Sequence, residues 1–387
     1  MFSTLVVSRL LRDRHARPAA APVGAGERVL IAPANSAGQG FAWARALERA
    51  RPQTRVTAMQ FVHEEDRFSY PSDLPVLNGF AVHSGRWQRA QRRALGGYRA
   101  VLLESAMPVL GGSYDSDVIQ QIEVLRADGV HVALLFHGSD LRDPDAHLEI
   151  EPLSYFAADA AFTEAMRRRV EQSRRVIAQT GLPVFVSTPD LLHEIEGSTW
   201  LPVVVDIDAW QGGVEPLSTD RPPQVLHAPS SSHIKGSELI EPVLQRLHNE
   251  GMIEYRSIRG IPHEQMPDLV RAADIVVDQM RGGPYGVAAC EAMAASRVVV
   301  SHVRDEVRDR TESASGLELP IVEAVPDNLE EVIRQVIAFP RKSQEIAGRG
   351  AAFVRHWHDG KRSGRVLAEW LQASAPSGHD EVNKEQQ

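Results

Sequence analysis

A single cysteine, Cys290, in 387 residues leaves no partner for an internal disulfide and fits a reducing compartment. Positive charge is also short. The 42 Lys and Arg stand against 51 Asp and Glu, for a net charge of −9, and no basic stripe offsets the deficit. A general nucleic-acid binder is therefore excluded. No apolar run nears the ~18 residues that a membrane span requires. Clusters of His, Cys and Asp at zinc spacing are missing, as are a G-x-S-x-G elbow and a P-loop. Asp206 and Asp208 form a lone D-x-D, too short and too isolated to count as a metal site. The expectation is a cytoplasmic protein with no metal and no resident cofactor.

What is present is a repeated alternation of strand and helix. "RVLIAP" (28–33), "TRVTAMQF", "YRAVLLE", "HVALLF" and "PVFVS" are short apolar runs separated by segments of helical spacing. "SDVIQQIEVLRADG" is a helix ended by Gly129, and "FTEAMRRRVEQSRRVIAQTG" a long basic one. The alternation restarts at "VLHAP" and runs through "IEYRSI", "DIVVDQ" and "RVVVSH". Strands joined by helices imply parallel sheets covered on both faces. The fold class is α/β: two Rossmann-like, doubly wound domains facing across a cleft. The expected division is an arginine-rich arm at 1–22, a first domain at 23–205 and a linker at 206–223. A second domain follows at 224–357, then a helix at 358–375 that crosses back to the first domain, and a polar tail at 376–387. The arm reads as a frayed segment rather than a secretory signal, and a weak membrane-surface contact stays open.

Two stretches of the second domain suit an anion. "HAPSSSHIKGS" (227–237) is a strand end, a loop of small hydroxyl residues including Ser230 and Ser231, then Lys235 and Gly236 opening a helix. Such a loop offers backbone N–H groups and a helix dipole, and the lysine adds full charge. The alternative is a capped helix with a solvated lysine. In "RGGPYGVAACEAMAAS" (281–296), glycines 282, 283 and 286 allow close approach of a ligand just before a helix. Glu291 lies one turn inside that helix, where its carboxylate can accept bonds from paired hydroxyls such as a ribose diol. In the first domain, "ANSAGQGFAWA" is a glycine-containing turn with Gly38 and Gly40, and "LLFHGSDLRDPD" ends a buried strand in His137. The first can also be read as a plain strand-to-helix turn, and the second as a helix N-cap with a satisfied histidine. Glu104, just past "AVLL", is a further cleft candidate.

Together "HAPSSSHIKGS", "IRGIPHEQMPDLVRAADIVVDQ" and "GPYGVAACEAMAASRVVV" resemble the nucleotide-sugar-binding domain of GT-B glycosyltransferases of the GT4-like group. The resemblance implies that Lys235 binds the donor diphosphate, Glu291 binds the ribose, and the turn from Gly283 to Gly286 lies against sugar and phosphate. It extends the donor-side set to Gly38, Gly40, Ser230, Ser231, Gly236 and Tyr285, with Arg281 or His233 a candidate for polar contact that the family's missing residues would otherwise supply. It places His137 near the reacting sugar, with Asp140 and Arg142 as acceptor or loop-ordering groups. Two positions depart from the family's pattern. Gly283 stands where the first glutamate of its E-x7-E pair belongs, and Pro229 where many members carry arginine.

The implied activity is transfer of a sugar from a nucleoside diphosphate sugar to a hydroxyl acceptor, with retention of configuration and without a metal. The acceptor is not named by the sequence; lipid-linked and polysaccharide acceptors both suit it, the former with peripheral contact at a membrane. A GT-B nucleotide-sugar epimerase and a non-catalytic nucleotide-sugar-binding protein are the two rival readings.

Overall fold

The computed structural model describes residues 26–64, 66 and 68–373. The proposed arm at 1–22 and tail at 376–387 lie outside the described residues.

Seven strands form the first sheet: β1 (Glu27–Ala32), β2 (Thr54–Val62), β3 (Leu74–Leu77), β4 (Ala100–Glu104), β5 (His131–Phe136), β6 (Val184–Val186) and β7 (Thr199–Trp200). Their order is β3-β2-β1-β4-β5-β6-β7, and every pair is parallel. The second sheet contains β8 (Gln224–His227), β9 (Glu254–Ser257), β10 (Ile275–Val277), β11 (Val298–Ser301) and β12 (Val322–Glu323), in the order β12-β11-β10-β8-β9. Parallel neighbours need crossover connections, and here helices supply them and cover both faces. That is why β4 and β5 read as unbroken apolar runs: residues 100–103 and 132–136 are all buried. The sequence pattern predicts this two-domain architecture, and it is the one observed. β3, β7 and β12, all short edge strands, carry no pattern strong enough to predict.

Strand order reverses direction between β1 and β4 in the first sheet and between β8 and β10 in the second. Ligands of open α/β sheets bind outside the carboxyl ends of strands at such reversals. The two crevices face one another.

The chain crosses between domains twice, and the crossings are bonded side by side. Leu201, Val203, Val204 and Val205 are buried. The Gln39 amide brackets Val204, accepting from its N–H at 2.7 Å and donating to its carbonyl at 3.0 Å. Trp43 Nε1 and Ser363 Oγ both donate to the Pro202 carbonyl. His358, on the return crossing, donates from Nδ1 to the Val203 carbonyl and accepts the Val205 N–H on its own carbonyl, both at 2.8 Å. The helix Lys361–Ala373 then lies on the helix Gln39–Ala50 of the first domain. Leu367, Trp370 and Leu371 bury among Val29, Trp43 and Leu47. Apolar side chains of this size contribute roughly 1.5–3 kcal/mol each when buried, enough to hold a thirteen-residue helix in place. Gly364 permits the contact, because a Cβ there would lie 2.5 Å from the Ala46 carbonyl oxygen. No helix among the described residues is long and apolar enough to cross a membrane.

Candidate functional site

The floor of the first domain is built at the carboxyl ends of β1, β4 and β5, next to the reversal in strand order. Glu104, the last residue of β4, is fully buried. Its Oε2 accepts the backbone N–H groups of Ala34 and Asn35 at 2.9 and 2.8 Å, fixing the turn that follows β1. Its Oε1 faces His137 Nε2 across 3.3 Å. The His137 ring stacks on the indole of Trp43, with centroids 5.7 Å apart. Burial disfavours charge on this imidazole, but the Glu104 carboxylate beside it, helped by Asp140, outweighs burial and raises its pKa. Asn35, Ala37, Ser105 and Ala106 all adopt left-handed backbone around this floor. Such strain persists only where surrounding contacts over-determine it, and it gathers at functional sites.

In the second domain, β8 leads through Ala228–Ser231 into a helical turn, Ser232–Lys235, before the helix Ser237–Asn249. Lys235 therefore ends a short turn rather than opening the long helix. Its ammonium sits 2.5 Å from Oδ1 of Asp278, at the end of β10, while Asp278 Oδ2 is buried and unpartnered. Arg281 lies over Gly236 and pairs through Nη2 with Glu238; its Nε and Nη1 are buried without partners. Glu291 projects from the helix Val287–Ala294 and meets His263 Nε2 at 2.8 Å. Burial raises the Glu291 pKa, and His263 offsets part of the shift. His263 is itself flanked by the rings of Tyr70 and Trp210.

A cavity between the domains brings Lys235, His263 and Glu291 together. Ala37, Phe68 and Tyr70 line it from the first domain, and Pro229, Ser230, Lys235, Ile258 and Glu291 from the second. A second, hinge-side cavity shares Ala37, His263 and Glu291 with it and extends past Gly38 to Trp210 and Lys361. Direct bonds tie the domains around both. The His263 N–H donates to the Phe68 carbonyl at 2.8 Å. His147, on the helix Pro144–Ile150, reaches the Gly282 carbonyl at 3.1 Å. Burial and the nearby Arg142 charge depress its pKa to about 4, so the ring is neutral at pH 7. A carbonyl can only accept, so Nε2 carries the proton, and Nδ1 accepts from Ser154 Oγ at 2.7 Å. The loop 281–286 is thus held from the opposite domain.

Not every residue that the sequence singles out faces the cleft. Tyr285 is 2% exposed, packed against Phe353 and His358, so its side chain belongs to the core rather than to a donor site. Arg142 is buried in a pair with Asp190, with Nη1 donating to the Tyr155 hydroxyl at 2.9 Å, contacts that order the loop. Asp140 also orders the loop, accepting from the N–H groups of His137 and Gly138 and from Ser105 Oγ. The Ser231 hydroxyl caps the turn at Ile234 N–H. Gly40 is a close-approach position, where a Cβ would lie 3.1 Å from Asn35 Oδ1. Gly283 is left-handed, at φ 79°, and Arg304 packs over the face where a side chain would project. His263, Tyr70, Asp278 and Arg304 carry no sequence signal of their own strong enough to mark them. The one local hint is the proline–histidine pair opening a helix in "IPHEQMPDLV".

No protein-family model matches the sequence, and no curated protein matches it significantly. Solved structures do match its fold. Sucrose-phosphate synthase from Thermosynechococcus elongatus superimposes with a TM-score of 0.56 at 14% identity, over 90% of this chain and 98% of that one. HepE of Anabaena, solved with UDP and glucose, gives 0.59 at 12% identity, over 90% and 100%. The catalytic domain of starch synthase IV from Arabidopsis thaliana, bound to ADP and acarbose, gives 0.57 at 10% identity, over 91% and 99%. The chain has the GT-B fold of these glycosyltransferases. Identities this low carry the fold and nothing finer.

Proposed function

We propose that the protein is a glycosyltransferase that moves a sugar from a nucleoside diphosphate sugar to a hydroxyl acceptor, with retention and without a metal ion. The observation that carries this reading is the interdomain cavity with Lys235 and Glu291 in one wall. Neighbours of the same fold were solved with UDP or ADP, which accords with a nucleotide there. In this reading the Lys235 ammonium and the unpartnered N–H groups of Arg281 meet the diphosphate. Arg281 fills the role left open by Pro229. Preorganised positive charge of this kind acts where it is most valuable, on the negative charge that grows on the departing diphosphate. Glu291 holds the ribose diol, exchanging its bond to His263 for the two hydroxyls. His137 lies beside the anomeric centre from the opposite domain. Closing the two domains over bound donor would exclude water, as a transferase needs in order to avoid hydrolysis. The acceptor enters over the loops of the first domain.

One observation favours a second reading, a protein that binds nucleotide sugar and transfers nothing. Arg304 covers Gly283 where a carboxylate could otherwise reach the sugar. Incubation with a panel of nucleotide sugars, with and without cell extract, separates these readings. Extract-dependent release of nucleoside diphosphate supports transfer. Binding without release supports the second reading, and an altered sugar without release points to an epimerase. Failure to bind any nucleotide sugar overturns all three.

A further inference from the structure

Two buried side-chain atoms at the floor of the first domain form no hydrogen bond of regular geometry with any described group: Oε1 of Glu104 and Nε2 of His137. They face one another at 3.3 Å. The other carboxylate oxygen is held by two backbone N–H groups, so the head of Glu104 cannot swing away. The ring is fixed on its other sides too. Trp43 stacks on it, the Asp140 carboxylate takes the His137 N–H, and Ser187 Oγ donates to the His137 carbonyl. Nδ1 has no hydrogen-bond partner among the described residues, and it is not among the buried unpartnered atoms.

We propose that Glu104 is the positioning residue for His137: it holds the imidazole by Nε2 and leaves Nδ1 as the working atom in the cleft. The carboxylate can only accept, so the ring must keep a proton on Nε2. When the ring is doubly protonated, Nδ1–H donates a hydrogen bond to a substrate oxygen. When it is neutral, the proton stays with Glu104 and Nδ1 becomes an acceptor, able to orient a hydroxyl group. The second proton thus decides which role Nδ1 takes. The surrounding charges are few. Asp140 lies on the same loop. The Arg169 side chain comes from the helix Ala160–Thr180 and donates to the Ser105 carbonyl. Arg142, neutralised by Asp190, lies behind Gly138. Glu104 is the group that touches the ring, and the raised pKa of His137 agrees with it.

What Nδ1 acts upon rests on the transferase reading; the pair itself does not. The test uses full-length protein labelled at histidine, with the His137 signal assigned by its loss in His137→Asn. Glu104→Gln keeps an acceptor for the Ala34 and Asn35 N–H groups, removes the charge and turns an amide donor toward His137 Nε2. In wild type the His137 signal should titrate above the ordinary 6.5. In Glu104→Gln the midpoint should fall by about 1–3 pH units, the usual effect of losing an adjacent opposite charge. An unchanged midpoint overturns the proposal. Wild type supplies a second measurement that needs no variant. Above the midpoint, long-range proton–nitrogen spectra should show the Nε2–H tautomer, and the Nδ1–H tautomer would sink the idea. Calorimetric titration of wild type with UDP and ADP runs alongside. No binding there defeats the proposed function and leaves the histidine result standing.

Discussion

Lys235 and Glu291 differ in what their removal leaves behind. Lys235→Ala strands Asp278, whose side chain is 3% exposed and otherwise unpaired, so both melting temperature and nucleotide affinity should drop. Adding Asp278→Asn should restore the melting temperature and not the affinity. Glu291→Ala should leave the fold intact. Each single variant should weaken binding of UDP or ADP by about 1–3 kcal/mol through lost charged hydrogen bonds. Calorimetry on both variants is decisive, and affinities equal to wild type would remove these residues from the site. At this scale the sequence is readable where a side chain's role is set by its immediate neighbours. Lys235, Glu291 and His137 each sit beside a strand end or helix start that announces them. Tyr70 and His263 are different, because each acquires its role only by meeting the other across the domain boundary. Tyr285 misleads for the same reason: nothing local says that Phe353 and His358 close over it.

Among the elements, the loop 281–286 has a shape specified by its glycines. Gly283 has φ 79°, and a Cβ there would come within 2.9 Å of Arg304 Cγ. Gly286 has φ −135° and open space around it. Gly283→Ala should therefore cost about 1–2 kcal/mol from left-handed backbone alone, while Gly286→Ala should stay within ~0.5 kcal/mol. Denaturant melts of the two variants give the comparison, and equal losses would mean the loop is not held as described. The strands that escape the sequence pattern are edges of two to four residues, too short for any period to register. Residues 201–205 border the stretch read as a linker. They are a buried seam, because Gln39, Ser363 and His358, all distant in the chain, supply their hydrogen bonds. Central strands are legible from composition; seams and edges depend on partners that composition does not name.

For the molecule as a whole, His302 is a clasp between domains. Its Nε2 meets Glu151 of the first domain at 2.9 Å, and its Nδ1 meets Glu323 at 2.7 Å. The hydrogen bond to Glu151, then that to Glu323, outweighs burial and raises the imidazole to about 9 from an ordinary 6.5. A raised histidine favours the protonated folded form. Its stabilisation is complete below pH 6.5 and disappears as pH climbs through about 9. The melting-temperature gap between wild type and His302→Gln should accordingly narrow from pH 6.5 to 9, and a constant gap would contradict the clasp. His193 against Glu306 adds a further cross-domain contact, at 3.5 Å.

The double crossing gives these contacts mechanical meaning. A single connecting strand would let one domain swivel about it in any direction. Two segments laced together by the Val205–His358 and His358–Val203 bonds resist twisting and shear better than one, so that bending along the seam is the easier motion. Motion of that kind moves in an arc. Groups beside the axis, such as Gln39 and Trp43, are displaced little, while a clasp held away from it travels further for the same angle. Opening about that seam would work as a lever, with the His302–Glu151 ion pair, sensitive to pH, as its latch.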